Sequence, residues 1–341
     1  MKPKNIVYIL VLIFFILACK KEVTQLFEGF QKPSNFPEPV YKFQNNNITK
    51  AGFDLGRKLF FDPMLSVDNT ISCGSCHIPT SAFTQHGHSV SHGINDLLGT
   101  RNSPPIMNLA WSSSFMWDGG IADLDLQPIA PITNHVEMGE TMSNVLLKLK
   151  NKTEYAQLFK AAFGSEEVTN IKMLKALSQF MLMCVSAESK YDSVMRKQQT
   201  FTTDEKAGYL LFQNKCNSCH KEPLFTDNNF RNNGLQPSNL NDIGRELITL
   251  LPTDTYKFKV PSLRNLAYTA PYMHDGRFLN VDAVLEHYNS QVVQTSNLDP
   301  LLYSNGKNGI SLTAEEKGKL LIFLNTLNDR KFITNPKIAE Q

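Results

Sequence analysis

Cys73-Gly74-Ser75-Cys76-His77 and Cys216-Asn217-Ser218-Cys219-His220 are the stretches that decide the reading of this chain. Cys-x-x-Cys-His is the signature of covalent c-type haem attachment. Two thiols form thioethers to the porphyrin vinyl groups, and the adjacent histidine is carried under the ring to ligate iron. A zinc site would want its cysteine pairs much closer together. Two complete copies therefore imply two covalently bound haem c groups. Cys73, Cys76 and His77 hold the first; Cys216, Cys219 and His220 hold the second. The haems carry the difficult chemistry, and the rest of the chain is read for how it tunes them.

Helical patterns lead into both motifs. Before the first, Ala51, Leu55 and Leu59 share a face. Before the second, Thr202-Thr203-Asp204-Glu205 is a capping-box start, followed by Ala207, Leu210 and Leu211 at helical spacing. Thr313-Ala314-Glu315-Glu316 opens a closing helix with Leu320, Leu324 and Leu327 on one face. Further helices read at about 142–150, 154–163 and 170–187, and strand signals are sparse. The expectation is a mostly α chain of two cytochrome c-like domains, each with one covalently bound haem. The N-terminal domain is set at 47–197 and the C-terminal one at 198–332, with the long loops 78–106 and 221–262 wrapping the haems.

Lys2 and Lys4 precede an apolar run from Ile6 to Ala18. It is shorter than the ~20 residues of a membrane span and suits a signal-peptide core. Ile16-Leu17-Ala18-Cys19 is lipobox-like, so 1–18 reads as a lipoprotein signal peptide, Cys19 as the lipid-bearing residue and 19–46 as a tether. The chain then sits on the periplasmic side of a bacterial membrane, outside the cytoplasm as covalent haem maturation requires. The formal charge of +2 falls to zero once Lys2 and Lys4 are removed. No basic tract remains to suggest a nucleic acid or an anionic lipid surface. Of six cysteines, one is left over: Cys184, which follows Leu177 and Met181 on an apolar helical face and reads as a buried thiol.

Function turns on what fills the sixth position of each iron. Of eight histidines, His77 and His220 are already assigned. His86, His88 and His92 follow the first motif; His135 stands beside Glu137; His274 and His287 lie late in the chain. Spacing alone leaves every one of them open as a ligand.

The order of several further motifs resembles the bacterial dihaem cytochrome c peroxidase family, including its MauG-type members. Around the first haem motif these are Gly56-Arg57-Lys58-Leu59-Phe60-Phe61-Asp62-Pro63, Ser89-Val90-Ser91-His92-Gly93 and Arg101-Asn102-Ser103-Pro104. Trp117-Asp118-Gly119 and Asn134-His135-Val136-Glu137-Met138 follow, then Pro261-Ser262-Leu263-Arg264-Asn265-Leu266 and Ala270-Pro271-Tyr272-Met273-His274-Asp275-Gly276. The likeness runs from about Ala51 to Asn328. It implies that the N-terminal haem is the peroxidatic one, with His77 proximal and His92 on its distal face in the resting enzyme. Glu137 matches the distal acid–base carboxylate and Gln127 the glutamine beside it. Trp117 matches the aromatic bridge between haems. Asn102, with the carbonyls of Thr269 and Pro271, matches the ligands of a calcium ion.

For the second haem, His220 is proximal, and classical members of the family place methionine opposite it. Here that position is Tyr288, as in MauG-type enzymes. Val281, Val284, Leu285 and Tyr288 share one helical face. A packed, non-ligating Tyr288 and Met273 as a substitute ligand remain open. The resemblance implies reduction of hydrogen peroxide to water, with electrons entering the C-terminal haem from a small donor such as cytochrome c or a cupredoxin. The alternative is a MauG-like oxidase acting through high-valent iron on a protein or small molecule. A dihaem electron carrier would have no use for Glu137 and Gln127. Homodimers are common in the family.

Overall fold

The computed structural model describes residues 27–341. The expected signal peptide, 1–18, and Cys19 lie outside the described residues. The principal helices are α1 (Lys50–Phe61), α2 (Met142–Lys150), α3 (Thr153–Phe163), α4 (Asn170–Leu182), α5 (Lys190–Met195), α6 (Thr203–Lys215), α7 (Val281–Glu286) and α8 (Ala314–Asn325). No helix among the described residues is long and apolar enough to cross a membrane.

Each half is organised by one close helix crossing. α1 meets α4 at Gly56, where an added Cβ would lie 1.9 Å from the carbonyl oxygen of Ala176. α6 meets α8 at Gly208, where the same atom would lie 2.0 Å from the carbonyl oxygen of Lys319. Only a residue without a side chain lets the backbones approach this far. In both halves the Cys-x-x-Cys-His motif follows the first helix of the crossing pair. The larger apolar core gathers Leu55, Leu59 and Phe60 with Leu177 and Phe180; the second gathers Tyr191, Phe212, Leu320, Phe323 and Leu327. The expected capping boxes form at Thr202/Glu205 and Thr313/Glu316, so both helices of the second crossing start where their sequences direct.

Four expectations are corrected. On α6 the core face is Gly208 and Phe212, and Leu210 is exposed, because the approach at Gly208 sets the rotation of the helix. α4 stops at Leu182, not 187. Beyond it the backbone pairs with Asn108, which donates its amide to the Cys184 carbonyl and accepts from the Ser186 amide at its Oδ1, both at 2.9 Å. Cys184 is nonetheless fully buried, as its apolar neighbours required. The described part of the tether, 27–46, is packed: Phe27, Phe30, Tyr41 and Phe43 lie on the first core, and Pro37 accepts from the Trp111 indole at 2.9 Å. These aromatics gain more by burial than a solvated tether would. Finally, Tyr191 already belongs to the second core, upstream of 198, while Phe332 and Ile338 return the C-terminal segment to the first.

The loops carry a duplication that the helix patterns hid. Asn108-Leu109-Ala110-Trp111 and Phe115-Met116-Trp117-Asp118-Gly119 recur as Asn265-Leu266-Ala267-Tyr268 and Tyr272-Met273-His274-Asp275-Gly276. The backbone repeats as well. Met116 (φ 67°) and Met273 (φ 74°) both adopt the left-handed conformation, and bridges Phe115–Ile121 and Tyr272–Phe278 close equivalent turns. A methionine held at positive φ marks a conformation imposed by its surroundings. A two-stranded antiparallel ribbon, β1 (Phe230–Arg231) with β2 (Phe258–Lys259), ties the ends of the second long loop together.

Candidate active site and haem clefts

The histidines of both motifs are set in the same way. His77 Nδ1 lies 2.8 Å from the carbonyl oxygen of Phe83, and His220 Nδ1 lies 3.2 Å from that of Phe225 and 3.1 Å from that of Pro261. Phe83 and Phe225 sit at φ 60° and 57°, conformations that turn these carbonyls toward the rings. An Nδ1–H bonded to a backbone carbonyl fixes the tautomer and leaves Nε2 for metal. Burial lowers the pKa of both imidazoles, which keeps them neutral as ligation requires.

Haem fits the second motif on geometric grounds. Cys216, Cys219 and His220 line a cleft with about 1530 Å³ of open space, walled by apolar side chains that include Phe212, Leu263 and Leu320. This long, mostly apolar lining suits a large planar macrocycle. Among the described residues no three His, Cys, Asp or Glu side chains group to hold a metal such as zinc.

Around the first motif the structure brings together Cys73, Cys76, His77, His92 and Glu137. The Cys76 thiol lies 3.6 Å from the His92 carbonyl oxygen. Gly93 presses on the backbone of Val136 and Glu137, and the Ile94 amide donates to the Glu137 carbonyl at 2.8 Å. A side chain at Gly93 would push this loop off the Val136–Glu137 backbone. The Glu137 charge reaches both cysteines and helps burial raise their pKa values. Burial raises Glu137 itself, opposed by Asn134. The His92 ring bonds Asp96 through Nδ1 at 2.9 Å and packs edge-on against exposed His88 at 4.2 Å. Its loop is closed tightly, with Gly93 donating to Leu97 and Gly99 to Ser91. His86 and His135 are exposed.

Gln127 Nε2 is 3.8 Å from the sulfur of Met116, the residue next to Trp117. Trp117 lines the second cleft and donates its indole N–H to the Asn102 carbonyl at 2.8 Å. Residues 116 and 117 therefore reach toward Gln127 on one side and the second haem cleft on the other. Asn102, Thr269 and Pro271 all line that cleft. Asn102 is held by its amide on the His274 carbonyl at 2.7 Å and by its Nδ2 on Ser89 at 3.1 Å.

Val281, Val284, Leu285 and Tyr288 all line the second cleft, the face read from their spacing. Tyr288 lies in a single π-turn, His287–Gln291, a distortion common at functional sites. Burial pushes its phenol up to about 12, the nearby cysteines adding to this and Asn233 opposing it. His287 is buried elsewhere, with Nε2 3.2 Å from the Asn233 carbonyl. Met273 also lines the cleft, its sulfur 3.6 Å from Asn233 Nδ2. His274 stacks on Phe258 at 3.8 Å. Asn233, placed beside both Tyr288 and Met273, was not singled out by sequence, since nothing in its local pattern marks it.

Residues 50–200 match the family model described as di-haem cytochrome c peroxidase. The chain is 35% identical to methylamine utilization protein MauG of Methylorubrum extorquens over 329 residues, covering 94% of this chain and 90% of that protein. It is 31% identical to cytochrome c551 peroxidase of Pseudomonas aeruginosa, covering 75% of this chain and 77% of the relative. Among solved structures, a MauG-like protein associated with microbial copper homeostasis superposes with a TM-score of 0.82 at 30% identity, covering 92% of this chain and 99% of that one. With two haem attachment motifs in two helix-crossing halves and likeness of this extent, the chain belongs to the di-haem cytochrome c peroxidase family.

Proposed function

We propose that the chain reduces hydrogen peroxide to two waters at the N-terminal haem, using two protons and two electrons delivered through the C-terminal haem. The observation that carries this reading is Glu137, a part-buried carboxyl whose charge reaches the first cysteine pair. Haem, held by Cys73, Cys76 and His77, would supply the redox-active iron for peroxide reduction. Glu137 accepts a proton from one peroxide oxygen and returns it to the other, with Gln127 alongside. His92 would guard the peroxide side of this site in the resting enzyme and give way on activation. Trp117 carries electrons between the halves. Tyr288 would join His220 in holding the second haem, with Met273 as its substitute; both line the second cleft. The Asn102 side chain and the carbonyls of Thr269 and Pro271 would hold a calcium ion, an all-oxygen set suited to that ion, which would stiffen the junction. The lipobox-like Cys19 would anchor the chain on the periplasmic side of the membrane, within reach of a cytochrome c or cupredoxin donor.

Steady-state oxidation of reduced cytochrome c by peroxide tests the reading. Donor-dependent turnover is expected. Tyr288 favours one other reading, a MauG-like oxidase. Peroxide-driven oxidation of a protein or small molecule without cytochrome turnover would replace the peroxidase reading with that one.

A further inference from the structure

Among the described residues, three Lys and Arg side chains line the second cleft: Lys215, Arg231 and Lys259. Two are neutralised by protein. Lys215 pairs with Glu316 at 3.1 Å, and Arg231 pairs with Asp227 at 2.6 Å and Asp299 at 2.7 Å. Lys259 makes no ion pair among the described residues. Its Nζ donates to the carbonyl oxygen of Ser114 at 2.7 Å, which uses one of the ammonium's three donors. The nearest acid by charge is Asp118, and that carboxylate is committed to Arg101 at 2.5 Å and to the Gly120 amide at 2.9 Å. Burial lowers Lys259 to about 8, the mark of an ammonium taken out of water. A part-buried ammonium that meets only the Ser114 carbonyl and, at 5.9 Å from its centre, the Phe115 ring has no counter-charge, which is costly, so its partner is to be sought in what the cleft receives.

Position in the cleft says what that partner is. The charged groups that act on Cys219 are Arg231, Asp299, Asp227 and Lys221, and Cys216 feels Lys215. Lys259 sits instead among first-half residues, bonded to Ser114 and, through its amide, to the Trp117 carbonyl at 2.7 Å. In haem c the thioether-bearing edge and the propionate-bearing edge are opposite sides of the ring. With Cys216 and Cys219 fixing one edge, the carboxylates point to the other end. The internal repeat adds an independent point: Lys259-Val260-Pro261 aligns with Asn102-Ser103-Pro104, so the second half carries a cation where the first carries an amide.

We propose that Lys259 is the counter-cation of a propionate of the C-terminal haem and holds that haem in register with Trp117. This rests on the second cleft holding haem c. Lys259 is a positioning residue: it acts on the haem's orientation and potential, not on peroxide. Its positive charge favours the reduced haem, which carries one more electron.

Two measurements test this. An experimental structure of the wild-type holoprotein is expected to place Lys259 Nζ within ~3.2 Å of a propionate oxygen; a separation beyond ~4 Å overturns the proposal. Potentiometric titration of Lys259→Met and Lys259→Arg, each first assayed for two haems per chain, gives a readout that a purely structural lysine would not move. Lys259→Met is expected to shift the second haem to lower potential, its equilibrium constant for reduction falling roughly tenfold, with the first haem unchanged and Lys259→Arg near wild type. Equal potentials in wild type and Lys259→Met overturn the proposal. If Lys259→Met fails to load haem, the wild-type distance decides alone. One haem per chain in the wild type would refute the dihaem reading itself, and this proposal with it.

Discussion

Burial does two things at Glu137: it removes the carboxyl from water, which raises its pKa, and it sets the charge against the first cysteine pair. A base must be ionised to take a proton. The acid limb of kcat/KM for peroxide should therefore lie above the ~4.3 of an ordinary glutamate, with activity lost as pH falls through it. Asn134 opposes the rise, so Asn134→Ala should move that limb to still higher pH; an unmoved limb would assign it to another group. Tyr288→Phe should alter the spectrum of the second haem and leave the first as it was, checked by low-temperature EPR of the ferric protein. At this scale the sequence was informative where residues sit in ordered motifs, as Glu137 and Trp117 do, or on one helical face, as Tyr288 does. Asn233 and Lys259 were not legible in this way. Their meaning comes from partners far along the chain: Met273 for the first, Ser114 and Trp117 for the second.

The helices owe their placement to two glycines more than to their apolar stripes. Gly56→Ala and Gly208→Ala would each drive a methyl into a carbonyl oxygen of the crossing helix. Each should destabilise the protein by ~1–3 kcal/mol or more, the range of overpacking, seen as a lower denaturation midpoint. An unchanged midpoint would mean the crossings are looser than described. Helix existence was legible from capping boxes and periodicity, whereas the rotation of α6 was not, because a stripe of Ala207, Leu210 and Leu211 says nothing about how closely α8 approaches Gly208. α4 was read too long for a similar reason. Its apolar pattern continues past Leu182, but Asn108 captures the backbone there.

One fully buried ion pair stands beside the N-terminal segment. Arg264 and Asp192 are fully buried, joined by two bonds of 2.8 Å, with Arg264 also 4.8 Å from the centre of the Phe36 ring. Burial alone would raise the Asp192 pKa, but Arg264, Ser189 and Asn35 outweigh it and hold the value below normal. The stabilisation is thus complete above the unfolded value near ~3.9 and is lost as pH falls through the lower folded value. Arg264→Met leaves Asp192 buried without its partner and should cost ~3–5 kcal/mol, read from denaturant midpoints at neutral pH. The two-domain, dihaem plan was legible because covalent attachment demands a fixed motif. The packing of residues 27–46 and the return of Phe332 and Ile338 to the first core were not, since both depend on surfaces built by the rest of the chain. The central claim concerns the assembled enzyme, and peroxide-dependent oxidation of reduced cytochrome c by wild type and Glu137→Gln, both carrying two haems, tests it most directly. The account predicts turnover in the wild type and a fall of ~10²–10⁴-fold in the variant; equal rates would contradict it.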